Sequence, residues 1–250
     1  MSRATIAILG GTGVENWPGA ELLESRHLET PFGPPTAPLQ RIAIAGHEVW
    51  FLSRHGVGHD IAPHRINYRA NIAALAAEGV EQVIALNAVG VIGTECPPGT
   101  LGLPDQLIDY TWGRDSTFFD GVDAPLQHID FTDPYSTQLR AQLLQAAAEH
   151  GLRLVDGGTY GATQGPRLET RAEVDRLARD GVRYIGMTGA PEAALAREKA
   201  LDYASVALAV NAAAGRSAVG IHEELEMNMN AAREAAVELV LSFLSWVSKK

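Results

Sequence analysis

Apolar positions fall in short runs separated by glycine-rich breaks. The first, Thr5-Ile6-Ala7-Ile8-Leu9, has the length of a strand and stops at Gly10-Gly11-Thr12-Gly13. Residues 41–45 and 48–53 flank Gly46-His47, which is the spacing of a β-hairpin, and Arg54-His55-Gly56 closes its second strand. Residues 82–87 read as a buried strand entering Ala88-Val89-Gly90. Residues 184–187 and 203–211 are further strands. Helices are predicted over 67–78, ending at Gly79, and after Asp133-Pro134, which offer a cap and a first-turn proline. The second of these carries Leu139, Leu143, Leu144 and Ala147 on one side and stops at Gly151. Thr170-Arg171-Ala172-Glu173 fits a capping box that opens a helix ending at Gly181. Residues 192–199 form another helix, and 223 to about 247 one long amphipathic terminal helix. This alternation predicts an α/β fold, a twisted sheet flanked by helices on both faces. The hairpin makes the sheet mixed rather than wholly parallel.

At 250 residues, with no repeat, low-complexity tract or shift in composition, the chain reads as one domain over residues 1–250. Apolar residues at 46% and charged residues at 20% are globular values. Lys and Arg number 20 against 30 Asp and Glu, a formal charge of −10. That balance argues against nucleic acid or an anionic membrane as the main partner and still leaves room for a local anion pocket. The single Cys96 excludes an intrachain disulfide and a multi-cysteine metal site, and fits a reducing compartment. With no 18-residue apolar run and no basic-then-apolar leader, the expectation is a soluble cytoplasmic protein.

Several breaks carry candidate chemistry. Gly10-Gly11-Thr12-Gly13 after a strand lets amide N–H groups converge on an oxyanion, with the Thr12 hydroxyl beside them. No Gly-Lys-Ser/Thr follows, so it is not a P-loop, and Asn16 stands where a dinucleotide fingerprint needs its third glycine. Arg54 adds a cation shaped for phosphate and His55 a second donor. Asn87-Ala88 and Met187-Thr188 end apolar strands, where open α/β sheets gather ligands. Glu169, after the rigid Gly165-Pro166 turn, is a carboxylate suited to ligand N–H groups. Asn211 offers both a donor and an acceptor to a heterocycle edge. Each has a plain structural alternative: a tight turn, a surface arginine with a capping histidine, a strand-end cap, a charge favoured by a helix dipole, or a left-handed asparagine. His55, His59 and His64 are spaced too loosely to imply a metal. No Gly-x-Ser-x-Gly elbow is present, which argues against an α/β-hydrolase.

Six motifs occur in one order: Gly10-Gly11-Thr12-Gly13, Thr30-Pro31-Phe32-Gly33, Arg54-His55-Gly56, Asn67-Tyr68-x-Ala70-Asn71, Gly165-Pro166-Arg167 and Met187-Thr188-Gly189-Ala190-Pro191-Glu192. In these the chain resembles the trimeric purine nucleoside phosphorylase and methylthioadenosine phosphorylase family, over about residues 5–245. The resemblance implies that phosphate attacks C1′ of a purine nucleoside and releases the base and a ribose 1-phosphate. It implies phosphate contacts at Thr12, Arg54, His55, Asn87, Ala88 and Thr188, with Met187 under the ribose. It places Leu168, Glu169, Asn211 and Ala213 at the base, with Glu169 and Asn211 as the catalytic pair. Phosphate is then a co-substrate, no cofactor or metal is expected, and the assembly is a homotrimer. The transition state would be a ribosyl cation between phosphate and a departing purine, so no protein nucleophile is required.

Members of that family that cut 6-aminopurines resemble one another in a serine after Gly-Pro-Arg-Phe and an Asp-x-Asp beyond the later strand. Here Glu169, Asn211 and Ala213 stand at those places, as in 6-oxopurine members. A carboxylate accepts the N1–H of hypoxanthine or guanine and meets only a lone pair in adenine. On the 5′ side, His128 resembles a residue lent by a neighbouring subunit, and His222 matches a histidine that meets a 5′-hydroxyl. The wording around Asn87, Glu169 and Asn211 looks most like bacterial methylthioinosine phosphorylases. The expected substrates are 6-oxopurine nucleosides: 5′-methylthioinosine, inosine or guanosine. The alternatives are a methylthioadenosine phosphorylase of the same family and a non-catalytic nucleoside-binding protein on the same fold.

Overall fold

In the computed structural model, which describes residues 5–122 and 124–249, the first apolar run forms strand β1 (Ile6–Gly10), buried at every position. Side chains alternate across a strand. Ile6 and Ile8 accordingly pack with Ala236, Leu239 and Phe243, while Ala7 and Leu9 pack with Ile72, Leu75 and Leu195. A strand apolar on both faces belongs between two helical layers. Those layers are α2 (Thr137–Glu149) and α5 (Ile221–Val247) on one side, and α1 (Tyr68–Ala77) and α4 (Gly189–Glu198) on the other. The predicted hairpin is present: β3 (Leu39–Ile44) pairs antiparallel with β4 (His47–Ser53) through a turn with positive φ at Ala45 and Gly46. A further strand, β2 (Glu21–Arg26), covers the outer edge of β3.

The centre of the sheet is β5 (Gln82–Val91), which runs on past its predicted end at Asn87. One edge of β5 is covered along its length by β11 (Asp202–Ala212). The other edge is shared. Gln82–Ala85 pair in parallel with β1, and Gly90 and Val91 pair antiparallel with β10 (Val182–Gly186). Between Ala85 and Gly90 that edge carries no strand, because β1 and β10 have diverged. Asn87 and Ala88 are therefore not at a strand end, as their sequence suggests; they lie mid-strand at this split, which opens a crevice. The periphery is filled by β9 (Thr159–Ala162) on β10, β7 (Gln106–Asp109) on β9, β6 (Leu101–Leu103) on β11, and β8 (Leu154–Asp156) on β6. The result is a single-domain α/β fold whose eleven-stranded mixed sheet is flanked by helices.

Caps set the helix starts. Asn67 accepts from the Ala70 N–H to open α1, and Thr170 with Glu173 forms the expected capping box of α3 (Arg171–Arg179). Helix α2 departs from expectation. Its cap is Ser136, three residues after Asp133, since the Ser136 N–H is held by the Tyr203 carbonyl while its hydroxyl accepts from Leu139 N–H. Among the described residues no helix is long and apolar enough to cross a membrane.

Candidate active site

The crevice at the β5 split is a cavity of about 160 Å³. Around it stand Thr12, Arg54, His55, Asn87, Ala88 and Thr188 at one end. Met187 belongs to the same lining, and so do Leu168, Glu169, Asn211 and Ala213, with Asn211 seated over Gly90 further along β5. Side chains separated by up to two hundred residues thus converge, because β1, β4, β5, β10 and β11 all reach this side of the sheet.

Close backbone approach explains two glycines. A Cβ on Gly11 would stand 2.6 Å from the Leu86 carbonyl oxygen and 2.8 Å from an Arg54 nitrogen. Gly90 sits under Asn211, whose Nδ2 would be 3.2 Å from a Cβ there. Asn211 reaches that spot through a register shift between Ala209 and Asn211 in the β5–β11 pairing, and bulges of this kind re-aim side chains.

Arg54 differs most from its sequence reading. It is fully buried, and its guanidinium forks onto Glu192: Nε to Oε2 at 2.7 Å and Nη2 to Oε1 at 2.8 Å. Nη1 donates to the Leu86 carbonyl at 3.0 Å, and Tyr203 donates to Glu192 Oε1 at 2.8 Å. Burial works against the Arg54 charge, but the facing Glu192 carboxylate more than offsets it, so the pKa moves up from its ordinary value. Arg54 is thus no free cation but half of a buried neutral pair. These bonds use three of the five guanidinium hydrogens and leave one on Nη1 and one on Nη2.

His55 is also corrected. Burial, set against the bond to Ile61 and reinforced by the Arg54 charge, pushes its pKa down to about 4. The ring is neutral near pH 7. Its Nδ1 lies 2.8 Å from the Ile61 carbonyl, which can only accept, so Nδ1 carries the proton and Nε2 is an acceptor. His55 is not the second donor. In the glycine loop, the Gly13 N–H is taken by Glu15 Oε1 at 2.9 Å, and Thr12 Oγ1 lies 3.4 Å from His59 Nε2. Asn87 donates to Ser205 at 2.8 Å and accepts from the Thr188 hydroxyl at 2.9 Å, tying β5 to β11 and to the cap of α4 just beyond β10.

At the other end Glu169 is half-buried, and its Oε1 accepts from the Thr163 hydroxyl at 2.7 Å. Asn211 is buried and donates through Nδ2 to the Ala212 carbonyl at 2.7 Å, leaving one N–H and Oδ1. Glu169 also borders a second, larger cavity of about 580 Å³, walled by Tyr110, Trp112, Thr163, Gln164 and Arg176.

Two expected residues are not brought in. His222 is exposed and outside the lining, because α5 turns its neighbours Ile221 and Leu225 to the cavity instead. His128 is exposed on the irregular segment before α2, away from the cavity of its own chain.

Sequence reasoning missed Thr163, Glu192, Ser205, Ile221, Leu225 and Arg114. Arg114 gathers the site: Nη1 donates to the Met187 and Ala190 carbonyls, and Nη2 to those of Thr163 and Gln164. One side chain thus holds the loop after β10 and the loop after β9 together. Nothing local marks it, since it sits in an aperiodic stretch. The apolar Ile221 and Leu225 were the readable signal for the other end, as members of a four-residue helical repeat.

Residues 5–245 match the model of the phosphorylase superfamily, and the chain belongs to that family. It is 49% identical over 240 residues to a probable S-methyl-5′-thioinosine phosphorylase of Xanthomonas campestris pv. campestris, covering 94% of this chain and 95% of the relative. It is 43% identical over 251 residues to a 6-oxopurine nucleoside phosphorylase of Pyrococcus furiosus, covering 98% and 94%. Among solved structures, a methylthioadenosine phosphorylase of Schistosoma mansoni in complex with adenine superposes with a TM-score of 0.91 at 28% identity, covering 99% of this chain and 93% of the other.

Proposed function

We propose that the protein is a purine nucleoside phosphorylase for 6-oxopurine nucleosides, with 5′-methylthioinosine as its preferred substrate. Phosphate attacks C1′, the bond from C1′ to N9 breaks, and the bonding pair leaves on the purine. The departing purine anion takes up the proton that the phosphate gives up on becoming an ester, and the products are hypoxanthine and 5-methylthioribose 1-phosphate. The observation that carries this reading is Glu169, a carboxylate in the same cavity as the proposed phosphate residues. Its Oε1 is engaged by Thr163, and Oε2 is left to accept the N1–H of a 6-oxopurine. Asn211 donates its remaining N–H to O6 or N7 as charge builds there. Adenine offers Glu169 a lone pair, and Asn211 has no proton to give N7, so 6-aminopurines lose on both counts.

At the phosphate end, neutral groups do most of the work. Arg54, Thr12 and the unpaired β5 edge supply donors, and neutral His55 accepts a hydrogen bond from a phosphate P–OH through Nε2. At the 5′ end, Ile221 and Leu225 offer no partner to a hydroxyl and suit a thioether methyl. The methylthioadenosine reading has support in the likeness to the Schistosoma mansoni enzyme, and Glu169 and Asn211 speak against it.

The same reading includes a cytoplasmic homotrimer with no cofactor, in which His128 reaches a neighbour's 5′ pocket. Val122 and Leu126 are exposed beside His128, the kind of apolar surface a subunit contact covers. Light scattering of the active enzyme checks the trimer. The deciding experiment for function is a panel of inosine, guanosine, adenosine, methylthioinosine and methylthioadenosine with and without phosphate. Phosphate-dependent base release with methylthioinosine foremost is expected. Binding without turnover would leave only a nucleoside-binding role, and preference for the 6-amino partner in both pairs would shift the assignment to methylthioadenosine.

A further inference from the structure

Glu169 stands between two spaces of unequal size. On one side is the site cavity of about 160 Å³; on the other is the cavity of about 580 Å³ walled by Tyr110, Trp112 and Gln164. A glutamate has three rotatable bonds, and an ionised carboxylate gains hydration by swinging into the roomier space. Something must hold it in the site. Among the described residues, the Thr163 hydroxyl at 2.7 Å is the one hydrogen-bond donor to that carboxylate. Arg167 is near enough to feel its charge, but the Arg167 guanidinium is forked onto Glu173 at 2.7 and 2.8 Å. Thr163 itself is held from both sides. Its N–H donates to the Gly186 carbonyl at 2.8 Å, and its own carbonyl receives Arg114 Nη2 at 3.3 Å. The hydroxyl thus stands on a fixed backbone, with Glu169 Oε1 at 2.7 Å as its near acceptor and the Gly186 carbonyl at 3.4 Å as the distant one.

We infer that Thr163 is a specificity-determining positioning residue: its hydroxyl tethers Glu169 toward the nucleoside cavity and so sets the preference for bases bearing N1–H. This rests on the 6-oxopurine reading of the site. Thr163 does not touch the base; it acts through Glu169. Because the tether engages Oε1, it also decides that Oε2 faces the substrate. Its effect is confined to base recognition, since the bonds that join Thr163 to the loop before Thr188 are made by its backbone N–H and carbonyl and do not need the hydroxyl.

The test compares wild type with Thr163→Val, which keeps shape and backbone bonds and removes the donor, and with Thr163→Ser, which keeps the donor. Steady-state kinetics are measured with methylthioinosine and methylthioadenosine, and the phosphate KM is measured alongside. In Thr163→Val the 6-oxo over 6-amino ratio of kcat/KM should fall about 10-fold, the effect of losing one hydrogen bond to a charged group. It should fall mainly through the KM of the 6-oxopurine nucleoside, with the phosphate KM unchanged. Thr163→Ser should restore the wild-type ratio. An unchanged ratio in Thr163→Val overturns the inference, and so does a rise in phosphate KM equal to that of the nucleoside, which would report general damage. If Thr163→Val does not fold, titration of hypoxanthine against Thr163→Ser and Thr163→Ala carries the same comparison, and equal affinities overturn it. A wild-type enzyme with no 6-oxo preference is a different result. It defeats the reading of the site before Thr163 is considered.

Discussion

The two ends of the cavity are built in opposite ways. At the proposed phosphate end, Arg54, Glu192 and Tyr203 are buried and bonded to one another, and Asn87 links β5 to β11 through Ser205 and to the start of α4 through Thr188. At the base end, Glu169 is half-buried beside a larger space, with one hydrogen bond to hold it. The first arrangement is inseparable from the core, so changing it changes stability together with catalysis. The second sits on a loop between β9 and α3, where a substitution can alter which base is accepted and leave the fold alone. Under the proposed function, the part of the reaction common to all nucleosides is held in the core, and the discriminating part is held at the rim.

The sharpest way to break this contrast is at Arg54. Removing one member of a buried pair strands the other, and such losses reach about 3–5 kcal/mol. Arg54→Ala should therefore lower stability as well as abolish phosphate use, and adding Glu192→Gln should recover part of the stability and none of the activity. Urea denaturation of the single and double variants measures this. Equal stability of Arg54→Ala and wild type would show that the pair is not coupled to the core.

At the base end the expectation reverses. Glu169→Gln should cut the preference for methylthioinosine over methylthioadenosine by roughly 10- to 100-fold, with no shift in melting temperature. Asn211→Asp should narrow the same gap, since Asp can protonate N7 and loses a donor for O6. A large drop in melting temperature for Glu169→Gln would place this residue with the core instead of the rim.

Smaller effects sharpen the 5′ side and the charge state. Leu225→Asn should lower kcat/KM for methylthioinosine about 10-fold relative to inosine, the scale of one polar for apolar exchange in a pocket. His222→Val should leave that ratio unchanged; a fall would return His222 to the site. For His55, the folded state holds the proton less tightly than the unfolded chain, where the value is near 6.5. The unfolded state thus binds more protons between pH 6.5 and about 4, and stability is lost as pH falls through that window. His55→Asn should flatten that part of the melting-temperature profile. An unflattened profile would show that other groups govern the acid limb.

Local signals made much of this fold legible. β1, the hairpin, β11, the capping box at Thr170 and the long α5 follow from periodicity and turn chemistry within a dozen residues. The elements that escaped reading are those with weak local signal. β2 is an exposed edge strand of sequence Glu-Leu-Leu-Glu-Ser-Arg, β6 and β8 are three residues each, and β7 and β9 are four each. Their strand state comes from a neighbour's hydrogen bonds, not from their own pattern.

The sequence by itself determined which residue types were available and where the chain could turn: Gly11 and Gly90 for close approach, Glu169 and Asn211 for the proposed base contacts, and an α/β alternation that sends strand after strand to one side. Tertiary structure alone decided what each group is free to do. Arg54 reads as an available cation until Glu192, 138 positions later, is found on its guanidinium. His55 reads as a donor until Ile61 takes its Nδ1 proton and burial keeps the ring neutral. His222 and Leu225 are three residues apart on one helix, and only the packing of α5 turns the apolar one inward. The reason is physical: charge, protonation and exposure are properties of a group together with its surroundings, and those surroundings are assembled from distant parts of the chain.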